Sequence, residues 1–149
     1  MVAALQTKYV FSLAIKIGPP IVAGDFGYGT RRIIPILGGE VRGEGIKGTI
    51  LPHGADFQTI RPNGFTELEA KYAFEMDDGA MVYIENVGPK ELLDRIANGE
   101  IVDPALVYFR SAPKFETGAE KYRWLMQNLF VGVGARYPDR VEIEVHQVL

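Results

Sequence analysis

The stretch Thr66-Glu-Leu-Glu-Ala-Lys-Tyr-Ala-Phe-Glu-Met76 alternates between apolar and mostly charged residues. Leu68, Tyr72 and Phe74 occupy even-numbered positions, whereas glutamates and a lysine occupy most of the odd-numbered ones. A period of two residues is typical of a β-strand with one buried and one exposed face. The stretch therefore predicts a long amphipathic strand, from which the rest of the fold can be worked out.

A turn signal and a second strand follow this stretch. Asp77-Asp-Gly79 is typical of a tight turn, and Ala80-Met-Val-Tyr-Ile-Glu-Asn86 has the composition of a returning strand. A two-residue turn would place even positions of the first strand on the same face as odd positions of the second. This register predicts that Met81, Tyr83 and Glu85 point to the apolar face.

Alternation also occurs near both ends of the chain, in Thr7–Ile17 and Val141–Val148. One short helix is predicted from Pro89 to Asn98-Gly99, because proline is accepted in a first helical turn and Asn-Gly is typical of a helix end. The weaker strand signals are Arg31–Ile36, Glu40–Leu51, Leu106–Ser111 and Tyr122–Val133.

The chain has 149 residues, which is the size of one domain with one core. About eight strands and one short helix favour either a sandwich or a barrel. Amphipathic strands at both ends favour a barrel, because closing the sheet leaves no exposed edge. We therefore predict a single all-β domain over residues 1–149, an antiparallel β-barrel whose interior is suited to a ligand cavity.

The composition excludes several functional classes. The chain has no cysteine and two histidines, which excludes thiolate metal sites, cysteine nucleophiles and histidine-rich zinc sites. The net charge of −3 lacks the positive field that nucleic-acid binding needs. Met1–Lys8 lacks the pattern of a signal peptide, and no segment approaches the apolar length of a membrane span. We expect a soluble cytoplasmic protein with no metal and neither a nucleic-acid nor a membrane partner.

Gly43-Glu-Gly-Ile-Lys-Gly48 matches the G-x-G-x-x-G pattern of dinucleotide-binding sites. That site requires a helix after the glycines, whose N-terminus meets the pyrophosphate. Thr49-Ile-Leu-Pro52 follows instead, and it is β-branched and ends in proline. We interpret the glycines as places where a barrel strand bends or a side chain crosses close to the backbone, and we expect no cofactor.

Glu85 is the first candidate catalytic residue. The predicted register places its carboxylate among apolar side chains and beside Tyr83, and such surroundings raise a carboxyl pKa and suit general acid or base catalysis. The alternative is that Glu85 lies at the strand end, reaches solvent or pairs with an arginine, and has a structural role.

A second candidate group is His53, Asp56 and Gln58, which lie together in a turn-like stretch. Histidine and aspartate three residues apart are able to share a proton. Aspartate in a glycine-rich loop equally forms an Asx-turn with its own backbone. Both interpretations of Asp56 remain open at this point.

Arg110, Trp124 and Tyr72 are the remaining candidates. An arginine in a barrel strand is able to clamp a ligand carboxylate, and an internal ion pair is the alternative. Tyrosine and tryptophan rings either contact a ligand or form part of the core.

A series of motifs occurs in order along nearly the whole chain: Leu37–Gln58, Arg61–Gly64, Asp77–Gly79, Tyr108–Arg110, Phe115–Gly118 and Tyr122–Leu125. In this order and spacing they resemble the DUF3237 family, also called UPF0311. The resemblance implies a small β-barrel and carries no settled biochemical activity. The chain departs from the family pattern at His53, where glycine is usual, and at Met126, where asparagine often stands.

Two functions are compatible with these observations. In the first, the barrel binds a small hydrophobic metabolite bearing a carbonyl or carboxylate, and catalyses a cofactor-free isomerisation, cyclisation or dehydration. In the second, it is a non-catalytic structural or interaction module that forms a homo-oligomer. The first function assigns catalysis to Glu85, Tyr83 and Asp56, and ligand binding to Arg110, Trp124, Tyr72, His53 and Gln58.

Overall fold

The computed structural model describes residues 2–91 and 103–149. Ten β-strands in these residues form one closed antiparallel sheet, which confirms the predicted barrel. Short 3-10 helices lie at Pro104–Leu106 and Glu120–Met126. The strands are β1 (Thr7–Ile17), β2 (Ile21–Asp25), β3 (Thr30–Gly43), β4 (Ile46–Ile50), β5 (Gly54–Ile60), β6 (Phe65–Met76), β7 (Met81–Glu91), β8 (Arg110–Glu116), β9 (Phe130–Arg136) and β10 (Arg140–Val148).

The ten strands occupy eight positions around the ring, because two positions are each shared by two strands. On one side of β3, its second half pairs with β1 and its first half with β2. On the other side, β4 and β5 share the position between β3 and β6. From β6 the sheet continues through β7, β8, β9 and β10 back to β1. The β1–β3 pairing closes the barrel.

The interior has two ends of different chemistry. Near the β6–β7 hairpin, four phenylalanines pack mostly edge to face with ring centroids 5.3 to 6.4 Å apart, namely Phe11, Phe74, Phe115 and Phe130. Such packing fills this end with apolar side chains. Toward the opposite end of β6 and β7 the buried side chains include Gln58, Thr66, Asn86 and Lys90. A polar interior at one end of a barrel is therefore the feature that needs a functional explanation.

The β6–β7 hairpin forms as predicted, but with a longer turn. Three residues, Asp77–Gly79, separate the paired residues Met76 and Ala80. The Met76 N–H donates to the Ala80 carbonyl at 2.8 Å, and the Gly79 N–H donates to the Met76 carbonyl at 2.8 Å. Gly79 has a φ of 87°, the left-handed conformation that a three-residue hairpin loop requires and glycine adopts without strain.

The odd number of loop residues reverses the predicted faces of β7. Tyr72 pairs with Ile84, so the even-numbered residues of both strands point to the interior. Asn86 is 4% exposed, whereas Glu85 is on the outer face. The prediction that Met81, Tyr83 and Glu85 face the interior is wrong, because it assumed a two-residue turn.

Other predicted elements also differ from the structure. Pro89–Glu91 form the end of β7 rather than the start of a helix, and the rest of the predicted helix lies outside the described residues. The predicted strand from Tyr122 begins with part of a 3-10 helix, and β9 starts only at Phe130. The G-x-G-x-x-G segment spans the β3–β4 turn and is followed by strand, as expected for glycines that shape a barrel.

Candidate functional site

A cavity of about 40 Å³ lies within the polar end of the barrel. A volume of about 10 to 15 Å³ is sufficient for one water molecule, so the cavity has room for about three water-sized groups. Its apolar walls come from β1, β3, β6 and β10 and include Ile15, Ile34, Ile36, Leu68 and Ile143. Its polar lining consists of Asp56, Gln58, Tyr72, Asn86, Lys90 and Arg136.

Strand β5 brings Asp56 and Gln58 to the cavity. The sequence suggested a turn here, but Gly54–Ile60 is extended, and residues two apart in a strand share a face. The Gln58 side-chain amide donates from Nε2 to Asp56 Oδ2 at 2.8 Å. The backbone N–H of Glu69 donates to Asp56 Oδ1 at 3.0 Å. Both carboxylate oxygens of Asp56 are therefore fixed by hydrogen bonds.

Arg32 extends this chain of hydrogen bonds from β3. It lies opposite Gln58 in the β3–β5 pairing and donates to Gln58 Oε1 from Nε at 3.0 Å and from Nη2 at 2.7 Å. Because Arg32 occupies the amide oxygen of Gln58, the amide nitrogen is directed toward Asp56. Hydrogen bonds therefore connect the Arg32 guanidinium through the Gln58 amide to the Asp56 carboxylate.

The burial of Asp56 raises the pKa of its carboxyl group above the ordinary value. The hydrogen bonds from Gln58 and Glu69 and the charges of Lys90 and Arg32 act in the opposite direction, and burial outweighs them. A carboxylate with a raised pKa accepts a proton more readily than an exposed one. Asp56 therefore has the properties of a general acid or base.

Lys90 approaches the cavity from the end of β7. Its side chain is 2% exposed, and its Nζ lies 5.4 Å from the centroid of the Phe109 ring. Burial, and then the charges of Arg136 and Arg32, lower the pKa of Lys90 to about 7. A lysine in such surroundings exchanges its proton near neutral pH.

Three buried polar atoms of the lining lack a hydrogen-bond partner among residues 2–91 and 103–149: Tyr72 Oη, Asn86 Oδ1 and Arg136 Nε. Buried polar atoms are normally paired, because leaving one unpaired costs about 1 to 3 kcal/mol. Burial also raises the pKa of the Tyr72 hydroxyl far above its ordinary value, so this group remains a hydrogen-bond donor at neutral pH. Together these atoms are two donors and one acceptor that no described residue satisfies.

Positive side chains outnumber negative ones around the cavity. Arg32, Lys90 and Arg136 influence one another and the carboxylate of Asp56. The positive groups thus outnumber the one carboxylate of this cluster. Such an arrangement favours a ligand with a negative charge, or with an oxygen that becomes negative during a reaction.

Of the residues that the sequence indicated, the structure brings Asp56, Gln58 and Tyr72 together at the cavity. Tyr83 and Glu85 lie instead on the outer face, where Tyr83 Oη donates to Glu85 Oε1 at 2.8 Å. They contribute to an external groove of about 310 Å³ beside β8. The hydrogen bond to Glu85 raises the pKa of the Tyr83 hydroxyl, which makes it a weaker acid.

The other predicted residues are also outside the cavity. His53 is exposed in the turn before β5. Arg110 is exposed, donates from Nη1 to the Phe109 carbonyl at 3.0 Å, and lies over the Tyr108 ring. Trp124 is partly buried against Phe130 with ring centroids 5.9 Å apart, at the apolar end of the barrel.

Sequence reasoning missed Arg32, Asn86, Lys90 and Arg136. The signal for two of them was present, because Asn86 and Lys90 share the parity of the apolar residues Val82 and Ile84. The assumption of a three-residue turn would have placed both side chains in the interior. Arg32 and Arg136 lie in strands with weak alternation, and only the assembled barrel places their side chains near the cavity.

The described part of the chain contains no helix of the length and apolar character needed to cross a membrane. In the same residues no group of three or more histidine, cysteine or acidic side chains is arranged to hold a metal ion. The donor set of the cavity, with more cations than carboxylates, is likewise unlike a cation site.

Known proteins resemble the chain over nearly its full length. A UPF0311 protein of Rhodopseudomonas palustris is 63% identical over 153 aligned residues and is covered completely, as is this chain. A crystal structure of a conserved protein of unknown function from that organism has a TM-score of 0.93 at 61% identity and covers 99% of this chain and 100% of its own.

More distant structures share the fold. A β-barrel-like protein of Acinetobacter baumannii is 32% identical with a TM-score of 0.88, covering 100% of this chain and 99% of its own. An enzyme from Penicillium herquei is 19% identical with a TM-score of 0.78, covering 100% of this chain and 98% of its own, which is a likeness of fold alone. The family model for DUF3237, proteins of unknown function, matches residues 5–148, and the chain therefore belongs to this family, as its motifs indicated.

Proposed function

We propose that the interior cavity binds a small, mainly apolar metabolite bearing a carboxylate or carbonyl oxygen, and that the protein catalyses a cofactor-free proton transfer on it. The observation that carries this proposal is the lining itself. It combines one carboxylate, two basic side chains and unpartnered polar atoms within apolar walls. A core selected for stability alone would contain apolar side chains here, because buried charges are costly.

The two parts of the ligand are recognised by different parts of the wall. Ile34, Ile36 and Leu68 form an apolar surface for the carbon skeleton. Arg136 supplies positive charge for the oxygen, and its Nε has no hydrogen-bond partner among the described residues. This division matches the general pattern of ligand sites, which are mostly apolar with a few placed polar groups.

Asp56 is the proposed acid or base. Gln58 and Arg32 are positioning residues, because Gln58 donates a hydrogen bond to the carboxylate and Arg32 in turn donates to Gln58. Tyr72 is a hydrogen-bond donor to an oxygen that gains charge as the proton moves. Isomerisation, cyclisation and dehydration are the reaction types that these groups support without a cofactor.

Native mass spectrometry of the protein purified from its own host tests this proposal. We expect a bound small molecule that denaturation releases, and whose occupancy falls at least about tenfold in Arg136→Met. Glu85→Gln on the outer face is the control and should retain the ligand. Equal occupancy in wild type and Arg136→Met, or loss of the ligand in Glu85→Gln alone, would place the site outside the barrel.

A specific observation also supports the second function, assembly with copies of the same chain. Strand β2 pairs with β3 and with no other strand of the described residues, and it exposes Ile21 and Val22 by 56% and 63%. An apolar edge strand is a template for pairing with another strand. We propose that the protein forms a homo-oligomer through β2. In analytical ultracentrifugation, the variant Val22→Lys should then sediment as a monomer. A sedimentation coefficient equal to that of the wild type would contradict this proposal.

A further inference from the structure

We propose that Lys90 forms an imine with an aldehyde or ketone bound in the interior cavity. This inference rests on the proposed function and narrows it, because it assigns the ligand to the carbonyl compounds and makes Lys90 a catalytic residue. It also explains why a buried lysine faces a cavity at the polar end of the barrel.

The position of Lys90 is that of a nucleophile rather than of a structural cation. The three-residue turn of the β6–β7 hairpin sets Lys90 on the interior face, in register with Thr66. The side chain is 2% exposed and lines the cavity, and its Nζ lies against the ring of Phe109. The amine is thus reachable from the cavity and shielded from bulk water.

Burial, and then the charged groups that face Lys90, keep much of its amine unprotonated. Arg136 on β9 and Arg32 on β3 repel an added positive charge, and both act more strongly than the attraction of Asp56 on β5. Tyr72 on β6 is neutral at pH 7 and adds no charge. With burial, these influences bring the pKa of Lys90 to about 7. About half of the amine is then neutral at pH 7, compared with less than about one in a thousand for an ordinary lysine.

The bond changes balance without an added reactant. The neutral Nζ attacks the carbonyl carbon and forms a C–N bond, while the carbonyl oxygen takes a proton and a carbinolamine results. The nitrogen then loses a proton to a basic group such as the Asp56 carboxylate. The protonated carboxyl group returns its proton to the hydroxyl, and departure of water breaks the C–O bond and forms C=N. The products are a protonated imine and one water molecule, with one proton taken up from solvent and no change in oxidation state.

The imine also connects Lys90 to the proposed proton transfer. A protonated imine withdraws electrons from the neighbouring carbon more strongly than a ketone does, which makes that carbon's proton easier to remove. Asp56, which also lines the cavity, is the base for that step. A single covalent intermediate thus gives both residues a role.

Reductive trapping tests this inference. The protein is incubated with propanal and sodium cyanoborohydride at pH 7, and the propylated lysines are located by peptide mass spectrometry. We expect Lys90 to be modified at least about tenfold faster than exposed lysines such as Lys114, because its neutral fraction is larger. The ratio should fall toward one at pH 10, where the exposed lysines also lose their protons.

Two measurements separate this inference from the function on which it rests. Propionate, a carboxylate of the same size as propanal, is titrated into the wild type, and its slowing of the Lys90 modification is measured. If propionate binds in the cavity but Lys90 is labelled no faster than the exposed lysines, the imine is overturned and the binding function remains. Fast labelling of Lys90 without any effect of propionate overturns the carboxylate form of the proposed function and retains the imine.

Lys90→Met and Lys114→Met serve as matched variants. We expect the first to lose the fast-labelled site and the second to retain it at the wild-type rate. Peptide mapping of the wild type gives the answer even if Lys90→Met does not fold. Labelling of Lys90 no faster than that of the exposed lysines at pH 7 would contradict the proposal.

Discussion

Asp56 has both carboxylate oxygens in hydrogen bonds, yet its pKa is raised, because burial outweighs those bonds and the nearby cations. A raised pKa means that the folded protein prefers the protonated form more than the unfolded chain does. Stability from this preference is present below the unfolded pKa of about 3.9 and is lost as pH rises through the folded pKa. At neutral pH the ionised Asp56 therefore destabilises the folded state. A role in function would explain why the residue is present.

Asp56→Asn should separate stability from function. The amide keeps the shape of the carboxyl group and removes the buried charge, but its NH2 group replaces one of the two accepting oxygens. These effects oppose each other, so we expect only a small change in melting temperature at pH 7. Turnover should fall by about 10² or more, because asparagine is neither an acid nor a base. The measurements are thermal unfolding and an assay with the ligand recovered from the host. A large loss of stability with turnover intact would assign Asp56 a structural role.

Tyr72→Phe tests the unpartnered hydroxyl in the same way. The hydroxyl makes no hydrogen bond among the described residues, and the ring is 3% exposed. Removing it should leave the free energy of unfolding unchanged within about 0.5 kcal/mol or raise it, and should weaken ligand affinity about tenfold. Calorimetry with the recovered ligand checks both. If unfolding becomes easier by more than about 1 kcal/mol, the hydroxyl has a partner within the fold.

At the scale of the elements, periodicity predicted the amphipathic strands well. The alternation over Thr66–Met76 gave β6 its faces, and Tyr72 is buried as expected. That alternation does not determine the length of the next turn. Because the turn has one residue more than predicted, Asn86 rather than Glu85 points to the interior. Pro89 was misleading, because proline also fits the end of a strand as long as its missing N–H is not needed.

Strand β5 was missed because its glycine and proline neighbours resemble a loop, and its path depends on a close contact. At Gly54, an added Cβ would collide with the Lys71 carbonyl oxygen and the Cβ of Tyr72. This glycine allows β5 to approach β6 closely, and the approach sets Asp56 and Gln58 beside Tyr72. No local propensity in the sequence shows such a requirement.

Gly54→Ala should therefore destabilise the fold by about 2 kcal/mol or more, because backbone atoms have to move to accommodate the methyl group. Gly118→Ala is the matched control, since an added Cβ there meets nothing within 4 Å. We expect the control to change the free energy of unfolding by less than about 1 kcal/mol in either direction. Urea unfolding of both variants measures the difference, and equal midpoints would argue against the close β5–β6 approach.

At the scale of the whole molecule, the barrel brings together charges from strands far apart in the sequence. Arg32, Asp56, Lys90 and Arg136 come from β3, β5, β7 and β9. Sequence analysis predicted the closed barrel from its amphipathic ends and found Asp56, Gln58 and Tyr72. It could not find the cationic side of the site, because which strands face one another across a barrel depends on closure and register.

The pH dependence of stability should report the buried lysine. Unfolded Lys90 holds its proton to about pH 10.4, whereas the folded protein releases it near pH 7, so the unfolded state binds more protons between these values. Stability should thus rise with pH, by about 3 kcal/mol between pH 7 and 9.5.

Denaturant unfolding at several pH values compares wild type, Lys90→Met and the exposed control Lys114→Met. The rise should be absent in Lys90→Met, where no proton is released, and present in Lys114→Met. Parallel pH profiles for wild type and Lys90→Met would show that Lys90 stays protonated in the fold.

The most direct test of the central claim, that the barrel interior is a ligand site, is a methyl NMR titration with a series of carboxylates from acetate to benzoate. We predict saturable shifts of the Ile34, Ile36 and Leu68 methyl groups that line the cavity, while those of the exposed Ile21 and Val22 remain unchanged. In Arg136→Met the apparent affinity should fall about tenfold or more. The result that contradicts the account is that no member of the series shifts the interior methyl groups in a saturable way, or that only the exposed ones respond.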